Sequence, residues 1–591
     1  MKKKGNLSEL MSFAGKHRFL TYASGLLSVI SALLALVPFV FLFLIVKEVI
    51  EAAPDFSLAE NVVLYGELAV AFALGSIIVY FGALMCSHLS AFRIAGNMRK
   101  AMMKKIDELP LGFIQEEGSG KIRRIVSDSS KATETYLAHQ LPDMAGAIAT
   151  PIGMIALLFV FDWRFGLVSL LPFLFGFATM FKMTGPQMAK DMRNYQNALG
   201  DMNNEAVEYV RGIPVVKVFN QTVHSFRQFK ASIDNYDRFC VAYTKKCRLP
   251  MLFFTTFINS AFAFLIAFVL ILADGQAIGE YVLMNFIFYV LFTPIISTAL
   301  TKIMYMSENG MIVSDALERV HSILDREPLP ESEAPRFPRD YSVEFDHVTF
   351  AYPGAKEAAL KEVSFRVEQG GSLALVGPSG GGKTTVAGLI SRFQDVGSGE
   401  IRIGGVNVKD IPGDALNETI AYVFQDSRLL KTSVRENVRL ARKNATEEEV
   451  KEALHKARCD DILAKLPDGI DTEIGAKGIY LSGGEQQRIA IARMMLKDAP
   501  IVLLDEATAF ADPENEVLLQ EALKELTRGK TLIMIAHHLT TVQNADRILV
   551  LKDGRTEEEG THETLIRRHG LYAKMWDDYQ TSVSWKVGGK K

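Results

Sequence analysis

The residues best suited to chemistry lie in the second half of the chain. Gly377-Pro378-Ser379-Gly380-Gly381-Gly382-Lys383-Thr384-Thr385 fits the pattern G-x-x-x-x-G-K-[ST]. Glycines at this spacing let backbone N–H groups wrap the phosphates of ATP. Lys383 is then expected to reach the β- and γ-phosphates, and Thr384 to bind Mg²⁺. The apolar run Ser372-Leu373-Ala374-Leu375-Val376 reads as a strand leading into the loop. A helix starting at the loop would add its positive dipole end to the anion site. A second apolar run, Ile501-Val502-Leu503-Leu504, ends in Asp505-Glu506. A strand buried in a parallel sheet delivers both carboxylates at its C-terminal end, where α/β sites form. Asp505 is expected to organise Mg²⁺ and Glu506 to polarise an attacking water as general base. Phosphoryl transfer asks for positioning and charge neutralisation more than for covalent chemistry. Two adjacent buried acids without a metal would be costly.

These residues need a scaffold, and the chain is long enough for more than one. At 591 residues it exceeds one ordinary domain. Hydrophobic content is 49% and mean hydropathy is +0.14, high for a soluble protein. The net charge of −3 gives no basic field of the kind that draws nucleic acid. Cys86, Cys240, Cys247 and Cys459 are scattered, with no C-x-x-C pair, which fits a reducing compartment and buried structural thiols. Apolar residues are concentrated before residue 306, and the sequence after 340 reads as a soluble α/β domain.

Six apolar stretches, near 19–46, 61–86, 140–161, 164–182, 251–273 and 281–305, are long enough to cross a bilayer, which takes ~20 residues as helix. Asp162-Trp163-Arg164 separates the third from the fourth. A charge at mid-membrane costs roughly 2.5–3.5 kcal/mol on insertion scales, so a hairpin turn is expected there. Lysine and arginine crowd the N-terminus and segment 88–138, while 48–60 and 274–280 are acidic. Positive-inside logic puts both termini in the cytosol, and six crossings agree. The first apolar run is too long for a signal-peptide core and is expected to be retained. Residues 6–17 read either as an amphipathic helix on the inner membrane surface, with Leu7, Leu10, Met11 and Phe13 on one side, or as an extension of the first span. The polar stretches 88–138 and 183–250 are expected to be helices running beyond the membrane, with turns at Gly118-Ser119-Gly120 and Gly212-Ile213-Pro214. Residues 325–340, with Pro328, Pro330, Pro335 and Pro338, read as an extended linker. The expected organisation is therefore a membrane domain over 1–324, a linker over 325–340 and an ATPase domain over 341–591.

Leu481-Ser482-Gly483-Gly484-Glu485-Gln486-Gln487 resembles the signature sequence of the ATP-binding cassette (ABC) ATPases. With the phosphate loop ahead of it, the whole chain resembles an ABC half-transporter of the exporter-type fold. The fold class expected is a six-helix membrane domain followed by an α/β P-loop ABC ATPase domain. The resemblance implies that Tyr352 stacks on adenine. It implies that Gln425, after Ile420-Ala421-Tyr422-Val423-Phe424, senses Mg²⁺ or the attacking water; the following Ser433–Val438 run also matches. His537 takes the place of the switch histidine that contacts the γ-phosphate, with His538 where arginine is usual. Ser482, Gly483, Gly484 and Glu485 would close over ATP held by a second cassette, and Asp512 would complete the nucleotide-binding set. The far tips of the two polar helical stretches would carry coupling helices that rest on the ATPase.

Two departures stand out. Thr472–Gly478 resembles the exporter X-loop, with Ala476 where glutamate is common. Ala509-Phe510-Ala511-Asp512 replaces the usual Ser-Ala-Leu-Asp, a variant resembling the subset that imports iron–siderophore complexes.

With one cassette in the chain, a partner half-transporter is expected, as homodimer or heterodimer, giving twelve spans and two composite ATP sites. The expected activity is ATP hydrolysis, with Mg²⁺, coupled to alternating-access movement of a small-molecule cargo across the plasma membrane. Export is the leading direction, and import of a metal chelate is the alternative. An ATP-gated channel or regulator is a third class. A soluble repair or translation ATPase is excluded by the six spans, and a peptide processor-exporter, which would carry an N-terminal peptidase domain, is not expected. Asn259, Ser260, Asn285, Thr255 and Thr256 are expected as cargo contacts or as helix–helix hydrogen-bonding groups. Glu67 is placed near the outer end of the second span.

Overall fold

The protein is described from a computed structural model, which covers residues 6–180, 186–218, 227–273, 278–425, 428–475, 480–505, 513–536 and 539–584. It divides into two compact units. One comprises residues 1–105 and 123–325; the other comprises 106–122 and 326–591.

The first unit is helical. Gly15–Ala52, Val62–Glu108, Ser119–Phe161 and Glu280–Ala299 are long and apolar enough to cross a membrane. Arg227–Ile258 and Ala261–Ala273 make a fifth crossing if the pair, bent by 47°, is one span. The remaining expected stretch, 164–182, falls on the shorter apolar helix Trp163–Thr179. By length and composition the described residues thus supply four or five of the six expected crossings. Large apolar side chains point outward from these helices, with Ile78 at 70% and Val160 at 74% exposure. Outward apolar faces on helices, which bond most of their backbone groups internally, suit lipid as solvent.

The break at Asp162 is a turn, as the charges require. The Asp162 carboxylate caps the next helix by accepting from the Arg164 N–H at 2.8 Å and also accepts from the Tyr281 hydroxyl at 3.1 Å. The buried Tyr289 hydroxyl donates to the Asp162 carbonyl at 2.8 Å. Around this corner Met154, Leu158, Phe165, Phe288 and Phe292 form the membrane-domain core.

Two expectations change. The N-terminal helix Asn6–Leu10 packs into the protein: Leu10, Met11 and Ala14 are buried and Glu9 meets His321 at 2.6 Å. Of the apolar side chains expected on a membrane surface, Leu10 and Met11 are covered by the protein, while Leu7 and Phe13 stay half-buried. Gly212-Ile213-Pro214 is not a turn but lies inside the helix Pro186–Val218.

The second unit contains two sheets. The strands are β1 (Val343–Phe350), β2 (Leu360–Val367), β3 (Ser372–Val376), β4 (Ser398–Ile403), β5 (Val406–Asn407), β6 (Ile420–Val423), β7 (Ile501–Asp505), β8 (Thr531–Ile535), β9 (Arg547–Lys552) and β10 (Arg555–Gly560). An antiparallel sheet runs β2-β1-β4-β5, and a mainly parallel one runs β10-β9-β3-β8-β7-β6. β7 is buried at every position, as expected of a strand covered on both faces. Residues 326–340 are extended: the Arg336 N–H donates to the Asp410 carbonyl at 2.9 Å, and Arg392 donates to the Pro330 carbonyl at 2.6 Å.

Candidate active site

Strand register brings the site together. In the parallel sheet Leu375 lies opposite Ile535, Ile535 opposite Asp505, and Leu504 opposite Val423. The ends of β3, β8, β7 and β6 therefore form one edge. The phosphate loop leaves β3 there, Asp505 closes β7, and Gln425 follows β6. Glu506, His537, His538 and Ala509–Asp512 lie outside the described residues.

The loop geometry depends on its glycines. Gly377 has φ +141°, and a Cβ there would sit 2.0 Å from the Leu551 carbonyl oxygen. Gly382, at φ +100°, starts the helix Lys383–Ile390. Lys383 is 6% exposed, and its ammonium donates to the Gly377 and Pro378 carbonyls at 2.9 and 3.0 Å. The cation is thus held inside the loop, while Pro378, Ser379, Gly380 and Thr384 are exposed at its rim. Thr385 is buried and its hydroxyl lies 3.0 Å from the Tyr352 hydroxyl. Tyr352 packs edge-on against Phe350 at 5.0 Å and keeps 41% exposure.

Asp505 is 7% exposed and accepts from the Tyr422 hydroxyl at 3.3 Å. Burial, followed by the neighbouring Asp505 charge, pushes the Tyr422 phenol far above its ordinary value, so it stays a donor. Tyr422 stacks on Phe424 at 4.2 Å and on Phe393 at 5.5 Å. The Phe393 carbonyl in turn accepts from the Gly112 N–H at 3.2 Å. Gly112 belongs to the short helix Leu111–Glu117, and a Cβ on it would lie 2.5 Å from that oxygen. Arg326 braces the same helix, 3.4 Å from Glu117 and 5.5 Å above the Phe113 ring. A contact path therefore runs from Leu111–Glu117 through Phe393 and Tyr422 to Asp505. Sequence reasoning missed Phe393 and Tyr422 as parts of it. The only signal was the turn at Gly118-Ser119-Gly120, where Gly118 has φ +75° and ends that helix.

The signature residues start the helix Gly483–Lys497. The Ser482 hydroxyl accepts from the Glu485 N–H at 3.3 Å, and the Glu485 carboxylate accepts from the Ser482 N–H at 2.8 Å. This reciprocal capping satisfies two helix-end donors. It leaves Ser482 and Gly483 exposed and Gly484 buried. Arg488, fully buried, anchors the helix through paired bonds of 2.7 and 3.0 Å to Asp461. Ala476-Lys477-Gly478 lie outside the described residues.

The polar residues expected in the membrane domain bond mainly to helices. Asn259 donates to the Thr255 carbonyl at 2.9 Å and accepts from Ser297 at 3.2 Å. Ser260 donates to the Phe257 carbonyl at 2.7 Å, and Asn285, fully buried, to the Tyr281 carbonyl at 2.9 Å. Thr255, Thr256 and Glu67 are exposed.

Two family models match the chain: the ABC transporter transmembrane region over residues 21–295 and the ABC transporter model over 360–509. The mycobactin import ATP-binding/permease protein IrtA of Mycobacterium tuberculosis is 36% identical over 95% of this chain and 64% of its own length. The chain thus spans less than two thirds of that relative. An ATP-dependent lipid A-core flippase of Dechloromonas aromatica is 32% identical over 85% of this chain and 86% of its own. The structure of a bacterial Atm1-family ABC exporter with ATP bound superposes with a TM-score of 0.71 at 26% identity, covering 95% of this chain and 98% of the other. A multi-pass helical transmembrane domain followed by an α/β ABC ATPase domain, matched along nearly its whole length by such relatives, places this chain in the ABC transporter family, as a half-transporter of the exporter fold.

Proposed function

We propose that the chain is one half of an ATP-driven transporter that hydrolyses ATP at composite sites shared with a second cassette and couples this to movement of a small amphiphilic molecule. The observation that carries the reading is the single sheet edge from which the phosphate loop, Asp505 and Gln425 emerge.

In this reading the loop from Gly377 to Thr385 wraps the phosphates with its N–H groups. Lys383 exchanges two backbone carbonyls for phosphate oxygens. Tyr352 is steadied by Thr385 and offers its exposed ring to adenine. The hydroxyl of Thr384 and the carboxylate of Asp505 are hard oxygen donors, the set that suits Mg²⁺, which keeps waters and takes one or two carboxylates beside phosphate. Bound there, Mg²⁺ would neutralise charge on the phosphates. Tyr422 holds Asp505 in orientation. Glu506 serves as general base, Gln425 and His537 position water and γ-phosphate, and Asp512 joins the communication between sites. Ser482, Gly483, Gly484 and Glu485 close over the nucleotide of the other half, which is a homodimer partner or a similar chain. The path Gly112–Phe393–Tyr422–Asp505 supplies coupling, since a shift of the short helix reaches the metal-binding carboxylate through stacked rings. Both termini and the cassette are assigned to the cytosol.

Direction has two readings. Likeness to the lipid A-core flippase and the Atm1-family exporter favours export, and likeness to IrtA, with the Ala509–Asp512 variant, favours import of an iron chelate. The test of the engine is Glu506→Gln in the purified full-length protein. ATP binding should persist while turnover falls about 100-fold or more, the scale of a lost general base, and the closed dimer should accumulate. Unchanged turnover sinks the assignment.

A further inference from the structure

One cavity in the membrane domain carries five hydroxyl groups and one carboxylate among its lining residues. It has a volume of about 290 Å³ and lies among the helices Arg18–Leu34, Val62–Glu108, Leu141–Phe161 and Glu280–Leu324. Its polar lining is Ser28, Ser31, Tyr80, Asp143, Thr150 and Thr298; the rest is alanine, glycine and isoleucine. A hydroxyl carries one proton and two lone pairs, so its internal bond decides what it can still offer. Each hydroxyl here has already committed its proton to the protein. Ser28 donates to the Pro142 carbonyl at 2.6 Å, and Ser31 to the Ser76 carbonyl at 2.8 Å. Thr150 donates to the Gly146 carbonyl at 2.8 Å, and Thr298 to the Pro294 carbonyl at 3.2 Å. Tyr80 donates to Asp143 Oδ1 at 2.5 Å. What remains to the cavity is lone pairs and one carboxylate, whose second oxygen takes no hydrogen bond from the described residues.

We infer that this cavity recognises the protonated nitrogen end of an amphiphile, an ammonium or guanidinium group, with Asp143 as the residue that reads its charge. A donor-bearing cation complements both the charge and the spent hydroxyls. An anion would meet only lone pairs, and a neutral acceptor group would find no donor. Asp143 is exposed and lies in the first turn of the helix Leu141–Phe161, so its carboxylate is open to a ligand. Tyr80 supplies one hydrogen bond but no charge, so a cationic ligand completes the site. The inference builds on the transporter reading, in that the ligand would be cargo, but it is tested without ATP.

The test uses the full-length chain in lipid nanodiscs without nucleotide and three probes with one fluorophore. These are dansylcadaverine, which ends in a primary ammonium, its N-acetyl form, which is neutral, and dansyl-6-aminohexanoate, which ends in a carboxylate. Charge-assisted hydrogen bonds predict at least about tenfold tighter binding of the ammonium probe than of the other two. Asp143→Asn should bring the three to within about twofold, since both charge and a lone-pair donor-acceptor match are lost. Asp143→Glu should restore part of the preference, and Thr150→Val, similar in shape, should weaken the ammonium probe alone. Tyr80→Phe frees an Asp143 lone pair and should keep the preference. Should Asp143→Asn fail to fold, as judged by elution and thermal unfolding, Thr150→Val and Tyr80→Phe carry the test. Equal binding of the three probes to the unmodified protein, or a preference that survives Asp143→Asn or is untouched by Thr150→Val, overturns the inference. Normal ATP turnover alongside such a result leaves the transporter reading standing.

Discussion

The phosphate loop and the membrane cavity are opposites built from the same kinds of groups. In the loop, glycines at positive φ shape a backbone proposed to wrap phosphate with its N–H groups, and Lys383 adds a positive charge parked on two carbonyls. In the cavity, side-chain hydroxyls have given their protons to helix carbonyls, and Asp143 adds a negative charge. What a polar site selects is set by the hydrogen-bonding capacity left over after the protein has satisfied itself. Residue type alone would have called both sites simply polar.

The contrast can be broken most sharply at the loop. Lys383→Ala removes its charge, and ATP turnover should fall about 10²–10³-fold, the scale of one lost electrostatic donor. Binding of the ammonium probe in the membrane cavity should not change. Activity within tenfold of the unmodified protein would contradict the assignment of Lys383. Next in size, Gly112→Val tests the link to the cassette. Overpacking against the Phe393 carbonyl should cost about 1–3 kcal/mol. ATP affinity should survive while transport per ATP hydrolysed drops, so a normal ratio would rule out the contact path as the coupling route. Tyr422→Phe is gentler: one hydrogen bond to Asp505 is worth about 0.5–1.5 kcal/mol. The Mg²⁺ requirement for hydrolysis should rise by a matching few-fold without loss of fold.

Ser482 separates a structural role from a functional one. Ser482→Ala should lower stability by about 0.5–2 kcal/mol through the lost cap, and turnover with it. Ser482→Asp restores a cap but brings a negative charge toward phosphate. Stability should recover and turnover should not; recovery of both would reduce the signature serine to a helix cap. The smallest effect is at His321. Burial pulls its imidazole down, but hydrogen bonds with Asp325 and Glu9 together raise it above its ordinary 6.5. A raised value in the folded state means that the stabilisation is complete below the unfolded value and fades as pH rises through the folded one. Thermal stability should therefore show a shallow fall with pH above about 6.5, the unshifted histidine value, and His321→Gln should flatten it.

The cassette was legible because its chemistry sits in short local patterns. Gly377–Thr385 is a loop running from a strand into a helix and Ile501–Asp505 is a single strand, and the sheet register needs only to bring them to one edge. The membrane cavity was not legible. Ser28, Tyr80, Asp143 and Thr298 come from four helices, and the direction in which each hydroxyl spends its proton exists only once the helices pack. Asp143 did carry a signal, as a lone charge in the apolar stretch 140–161, but Tyr80 has none. Gly212-Ile213-Pro214 misled for the opposite reason. Local propensity favours a turn there, and the long helix Pro186–Val218 overrides it. Residues 6–17 were read from their apolar side as a surface helix or as an extension of the first span, whereas the Glu9–His321 contact that ties the segment inward joins distant parts of the chain.

The most direct measurement follows movement against ATP in sealed inverted vesicles holding the full-length protein, with ATP on the cassette side. Iron-loaded mycobactin and a lipid A-core analogue serve as candidate cargoes beside dansylcadaverine. The account predicts ATP-dependent, Glu506-dependent movement of at least one of them: uptake into the vesicles if the protein exports, loss from preloaded vesicles if it imports. Passive flux that continues without ATP, or with Glu506→Gln, would contradict it and point to a channel.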